Sequence, residues 1–281
     1  MNKWLEDVIT NRALEMENEK KNPGWFSITA ITKVPYIAYP TLNEAECKEI
    51  QEQTKEVLRI SRNKNQYKEV AITYNIHNHN PDKYKIVLGN IANVEICNDT
   101  NTLQLLQTSS VQEELAVISI HNHPNDSMFS INDLLIFAEH PSIKIMEIVN
   151  RDGEVAFLLR PKFEKYHSLI DILIDAEPNF LQKMRNFHQT YPNQDIKISS
   201  LIPDVKIRKE IIRSMIELLE SQGVYVHNYV NQEQAKKIDF STFTTNYSLQ
   251  GKITNNDSKI NLKDDYLYLK NGEDDYEWEE R

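Results

Sequence analysis

The residues best equipped for chemistry stand in one short segment. It reads Ile118-Ser-Ile-His121-Asn-His123-Pro124 and, after the six residues 124–129, Ser130-Ile-Asn-Asp133. An apolar strand ending in His-x-His places both imidazoles on one face, because side chains alternate along a strand with period two. Pro124 ends that strand, Ser130 suits a helix N-cap, and Asp133 is then the third residue of the first helical turn, from which its carboxylate can turn back toward the histidines. Two histidines and one carboxylate, with a fourth position left to water, is the donor set of a catalytic zinc site; a structural zinc site is closed by four protein ligands. Such a site lowers the pKa of its water to roughly 7, which supplies hydroxide at neutral pH.

The chain around this segment must supply the strand and the helix. Tyr67 to Asn75, Tyr84 to Leu88 and Ala92 to Cys97 are short β-rich runs bounded by turn residues, and they predict successive strands. Thr102 to Glu114 reads as a helix leading into the apolar strand Leu115 to Ile120, and Ile131 to Ala138 as a second short helix. Ile143 to Asn150 and Glu154 to Leu159 surround Arg151-Asp152-Gly153 as a β-hairpin. Residues 66–162 are therefore expected to form an α/β unit.

On either side the pattern is helical. Trp4, Leu5, Val8 and Ile9 recur at helical spacing before the break at Asn22-Pro23-Gly24, and the capping box Thr41-x-x-Glu44 predicts a helix to about Ser61. These make residues 1–65 a helical N-terminal extension. Residues 163–262 are expected to be mostly helical, most clearly Val205 to Gln222, whose Ile211, Ile212, Met215, Leu218 and Leu219 form one stripe before a capping Gly223. Residues 263–281 form an acidic tail. The last 21 positions hold eight acids against Lys263, Lys270 and Arg281, which is -5 of the chain's formal -10, and their tyrosines, leucines and Trp278 leave room for a docking role. Partner proteins are expected at these terminal extensions.

Composition narrows the function classes. With 281 residues and 40% of them apolar the chain can bury a sizeable core. It contains no run of about 18 apolar residues, and Met1 to Asp7 carries Trp4, Glu6 and Asp7 where a signal peptide has a basic stretch and an apolar core. No membrane partner is expected. Cys47 and Cys97 have neither a knuckle nor a disulfide-framework spacing, so a reducing cytoplasm is the expected location. The formal charge of -10 works against nucleic acid as a partner, since binding there displaces counterions with a positive surface.

The segment His121-x-His123-Pro124, a short loop, and Ser130-x-x-Asp133 resembles the signature of the JAB/JAMM (MPN-type) metallopeptidase family, and the run HNHP resembles its bacterial RadC-like branch most. The resemblance covers residues 66–162, about a third of the chain. The family carries one residue more between the second histidine and the serine than the six found here, which leaves the spacing of Ser130 and Asp133 intact and bears on the substrate-facing loop. By this resemblance the fold is a JAB/MPN-like mixed sheet flanked by helices, with cytidine deaminase-like layering. His121, His123 and Asp133 are then Zn2+ ligands, and Ser130 stabilises the oxyanion of a tetrahedral intermediate. The family also uses an upstream glutamate as general base. Glu69, at the start of an apolar strand, fits that place, with Glu95, Glu113 and Glu114 as rivals.

The expected activity is zinc-dependent hydrolysis of a peptide or isopeptide bond, the substrate being a polypeptide such as a ubiquitin-like conjugate. Two other classes are open. One is a metal-dependent hydrolase built on a larger barrel, which needs further ligands at later strand ends; the other is a RadC-like repair-associated scaffold with a structural metal. His77-Asn-His79 repeats the tripeptide without a following Ser and Asp at matching positions and reads as a turn. His140, His167, His188 and His227 read as surface or satisfied core histidines.

Overall fold

The computed structural model describes residues 26–90, 94–124, 127–177, 179–190, 201–241 and 243, with side chains undescribed at 184, 187, 188 and 190. The expected N-terminal helix around Trp4 to Ile9 and the acidic tail lie outside these residues. The chain is a mixed α/β protein with a six-stranded mixed sheet flanked by helices. In chain order the elements are α1 (Ile28–Lys33), α2 (Glu44–Lys64), β1 (Val70–Asn75), β2 (Lys85–Leu88), α3 (Thr100–Val111), β3 (Val117–His123), α4 (Ile131–Glu139), β4 (Ile143–Asn150) and β5 (Val155–Leu159). Then follow α5 (Leu169–Ala176), α6 (Phe180–Thr190), α7 (Val205–Ser221), β6 (Tyr225–Val230) and α8 (Gln232–Ala235). The strand order is β2-β1-β3-β4-β5-β6. Only β3 and β4 run parallel, joined through α4; the other neighbours are antiparallel.

Period-two alternation gives the sheet two apolar faces. Ile72, Tyr74, Ile118, Ile120, Ile145, Val149 and Phe157 pack on one side with α1 and α2, whose Cys47, Ile50, Val57 and Leu58 form the facing stripe. Ala71, Met146, Ile148, Ala156 and Leu158 pack on the other with α3, α4, α5 and α7. Both faces being covered explains why β3, β4 and β5 are apolar runs with almost every residue buried. At the hairpin between β4 and β5, Gly153 has a φ of +81°, and a Cβ there would stand 2.1 Å from the Ala30 carbonyl oxygen. Glycine is required both by the turn and by the approach of α1.

Several boundaries differ from the sequence expectation. The capping box that starts α2 is Asn43 with Glu46, not Thr41 with Glu44; Thr41 sits in the preceding turn with a φ of 73°. Where a strand is expected over Ala92 to Cys97, Val94 and Glu95 are irregular and Ile96–Asn98 is a 3₁₀ turn; residues 91–93 lie outside the described set. The mostly helical reading of 163–262 omits β6, which pairs with β5 in the main sheet, and α2 packs on β1 and β3. Both flanks of residues 66–162 therefore contribute layers to the same sheet. Cys47 and Cys97 are buried and form no disulfide. Among the described residues no helix is long and apolar enough to cross a membrane.

On the α2 face β4 buries a carboxyl, Glu147, which accepts a hydrogen bond of 2.8 Å from the Tyr39 hydroxyl. Thr54 has one hydroxyl proton but lies 2.8 Å from the Ile50 carbonyl and 2.6 Å from Glu147. A protonated Glu147, donating to Thr54, allows both contacts to be hydrogen bonds. Burial pushes its pKa up to about 7; hydrogen bonds that Thr54 and Tyr39 donate to the ionised carboxylate oppose the rise without overcoming it. The folded state thus holds this proton more tightly than the unfolded chain, so the stability it contributes is full below the ordinary carboxyl value of 4.5 and is lost as pH rises through about 7. Glu147→Gln, which is neutral throughout, is expected to raise the melting temperature relative to the wild type more at about pH 8 than at about pH 5. An equal difference at both pH values would contradict this.

Candidate metal centre

The site forms where β3 ends and α4 begins. His121 and His123 lie on the α4 side of the sheet, both about 4% exposed, and Asp133 reaches them from the first turn of α4. The two Nε2 atoms are 3.0 Å apart, and His121 Nε2 lies 3.3 Å from Asp133 Oδ1 and His123 Nε2 3.6 Å from Asp133 Oδ2. Four ligands on a tetrahedral zinc, with bonds of 2.0–2.1 Å, stand about 3.3 Å from one another. The three donor atoms thus already have the separations of one face of such a tetrahedron. Among the described residues this is the one group of His, Cys, Asp or Glu side chains so placed to hold a metal.

Two of the three candidate donors are held by their neighbours. His123 Nδ1 lies 2.8 Å from the Ser127 carbonyl oxygen. A carbonyl only accepts, so Nδ1 carries the hydrogen and the lone pair of the neutral ring is left at Nε2, facing the other two donors. Asp133 is fixed by Ser130, the N-cap of α4, whose backbone N–H and hydroxyl each donate to Oδ2 at 2.7 Å. The Asp133 N–H donates back to the Ser130 hydroxyl at 3.2 Å, completing a capping box. Ser130 is exposed and Asp133 partly so, whereas both histidines are buried.

Glu69 arrives from β1. Ala71 pairs with His121, so Glu69, two residues earlier, shares the histidines' face of the sheet, and its carboxyl interacts with His121 and Asp133. Its backbone is pinned on both sides: Glu69 N–H donates to Asn90 O at 2.8 Å, and its carbonyl accepts from Gly89 N–H at 2.8 Å and from the Asn65 amide at 2.7 Å. The chain reaches it from α2 through Gln66 and Tyr67, both left-handed at φ 53° and 61°. Beyond Glu69 the ladder is finished by the buried Asn122, whose Oδ1 accepts the Val70 N–H at 2.8 Å.

The charges follow this geometry. Burial pushes Glu69 up to about 8, with the Asp133 charge adding to the rise and His121 opposing it. Burial also acts to raise Asp133, but the His121 and His123 imidazoles and the Ser130 hydroxyl outweigh it and hold the carboxylate well below its usual range. For His121 burial favours the neutral ring, yet the pairing with Asp133 wins and its pKa is raised. Burial and the neighbouring His121 push His123 down to about 4. Without metal His123 is therefore neutral, while the pairing with Asp133 favours the protonated form of His121, a proton that a bound cation would displace.

None of the rival glutamates belongs to the donor triangle. Glu114 accepts from the Asn75 amide at 2.6 Å, at the opposite end of β1, and Glu113 is exposed in a left-handed turn after α3. Glu95 accepts from Asn98 within the 3₁₀ turn. His77 and His79 are exposed in the turn after β1, His140 caps α4, His167 stands near Glu139, and His227 stacks on Phe157. The His188 side chain lies outside the described set. Two supporting residues are absent from the sequence reading: Ser127, and Tyr229 on β6, whose hydroxyl donates to the Ser127 carbonyl at 2.7 Å. A signal for β6 exists in Tyr225-Val-His-Asn-Tyr-Val, an aromatic and β-branched run separated from Gly223 by Val224.

Comparison with protein-family models, with curated proteins and with solved structures finds no match to this chain.

Proposed function

We propose that His121, His123 and Asp133 hold one zinc ion and that the protein hydrolyses a peptide or isopeptide bond in a polypeptide, as a JAMM-type metallopeptidase. The observation that carries this reading is a largely buried triangle of three donors with a further buried carboxyl, Glu69, immediately before the neighbouring strand β1 and interacting with His121 and Asp133. Zinc held there supplies Lewis acidity, polarising a carbonyl and lowering the pKa of a water to roughly 7. Glu69 takes a proton from the attacking water and returns it to the leaving amine. A dication nearby would lower its carboxyl from about 8 and favour the ionised form that acts as base. The Ser130 backbone N–H holds Asp133 in its ligating orientation, so the hydroxyl, whose one proton goes to Asp133 in this structure, is free to turn that proton to an oxyanion without releasing the carboxylate. The JAB/MPN fold assignment belongs to the same proposal and is supported by the motif spacing and by the site's place at the end of β3.

The test is single-turnover cleavage of a plain peptide and of a lysine-linked ubiquitin-like conjugate. Cleavage of either, abolished by a chelator and restored by zinc, is the expected result. Zinc uptake without cleavage of any such bond would leave the metal as structural and sink the peptidase reading.

Ser130 has two separable roles. As an N-cap its replacement by Ala is expected to cost about 1 kcal/mol of stability, and loss of its hydroxyl from the site about a hundredfold or more in turnover. Stability loss alone, with turnover kept in the folded fraction, would reduce Ser130 to a cap.

A further inference from the structure

We propose that Tyr229 is a positioning residue of the metal centre, acting through the Ser127 carbonyl on His123, and that residues C-terminal to the motif region are thereby required for full metal affinity. This rests on the metal reading above. The Ser127 oxygen accepts two hydrogen bonds, from His123 Nδ1 at 2.8 Å and from the Tyr229 hydroxyl at 2.7 Å, one for each of its lone pairs. The first fixes the imidazole's tautomer and plane, and the second fixes the oxygen that does so. Imidazole, carbonyl and phenol together bridge β3 and β6, which stand three strand positions, or roughly 14 Å, apart in the sheet.

The pairing of β6 with β5 explains how Tyr229 reaches the site. Tyr225, Val226 and His227 pair regularly with Leu159, Leu158 and Phe157, a register that puts Tyr225 and His227 on the α2 face, stacked on Phe157. Continued without interruption, it would pair Tyr229 with Val155 and send its ring to that same face. Instead Val230 pairs with Val155, so two residues of β6 oppose one of β5. This bulge turns Tyr229 to the opposite face, where it packs against the core that adjoins the site. Turning one side chain across the sheet is what a bulge beside a functional centre accomplishes, and here the hydroxyl so delivered lands on the histidine's own acceptor.

Removing a hydrogen bond that orients a ligating histidine lowers metal affinity by roughly tenfold to a hundredfold. The test is zinc affinity of the full chain, by competition with a chromophoric chelator, together with the visible spectrum of the cobalt-substituted protein. Tyr229→Phe keeps the ring and loses only the hydroxyl, so its metal-free melting temperature is expected to stay near that of the wild type, while its zinc affinity falls about tenfold or more and the cobalt bands shift. Tyr225→Phe is the control, because its hydroxyl donates to the Asp239 carbonyl on the α2 side; it is expected to change neither readout. Unchanged affinity and cobalt spectrum in Tyr229→Phe, with a wild type that binds metal, would overturn the proposal and leave the metal reading standing. A wild type that takes up neither zinc nor cobalt would overturn both.

Discussion

Glu69→Gln is expected to lower single-turnover cleavage toward the ten-thousandfold end of the hundredfold to ten-thousandfold range typical of general acid-base catalysis, while zinc content is retained. The side chain is 5% exposed and its backbone is pinned by Asn90, Gly89 and Asn65, so an isosteric amide occupies the same place. What disappears is a group able to accept and return a proton. Because burial raises the Glu69 carboxyl to about 8, its ionised form costs the metal-free protein stability above that pH, and the neutral amide does not. The metal-free variant is therefore expected to be at least as stable as the wild type in alkaline solution. Glu95→Gln and Glu113→Gln serve as comparisons, since neither residue is placed with the triangle, and both are expected to keep activity. Full activity in the Glu69 variant with loss in one of the others would move the role to that residue, and loss of zinc would make Glu69 a ligand.

His123→Ala is expected to weaken zinc binding by more than about a hundredfold, the upper end of what loss of a merely supporting residue costs. Two donors then remain, His121 and Asp133, which in the metal-free protein stand 3.3 Å apart and favour holding a proton on His121. For the same reason wild-type affinity is expected to rise with pH through the titration of His121, because zinc must displace its proton. Chelator competition at several pH values measures both effects. Affinity unchanged by the substitution would remove His123 from the ligand set.

How much of this is legible in sequence depends on how local the deciding physics is. Ile143–Asn150 reads as a strand from its β-branched run and from the Gly153 hairpin, and β4 has those bounds. Ser130 and Asp133 are joined by a capping box, a contact within one helical turn, so their spacing alone places them. Two overlapping boxes, Thr41 with Glu44 and Asn43 with Glu46, offer starts for α2, and the left-handed backbone at Thr41 decides for the second. The proximity of Glu69 to the histidines comes from the β1–β3 register, about fifty residues apart in the chain, which no local pattern encodes. Tyr229 is less legible still. Its side of the sheet is set by a bulge, and an uninterrupted alternation over Tyr225–Val230 places it on the wrong face.

The most direct measurement is metal analysis and zinc titration of the full chain purified without chelators. About one zinc per chain, removable by chelation, taken up again on titration and weakened in His123→Ala, is the result expected from three donors at tetrahedral separations. Wild-type protein that is free of metal after purification and shows no saturable zinc uptake would contradict the metal centre and the hydrolytic function built on it.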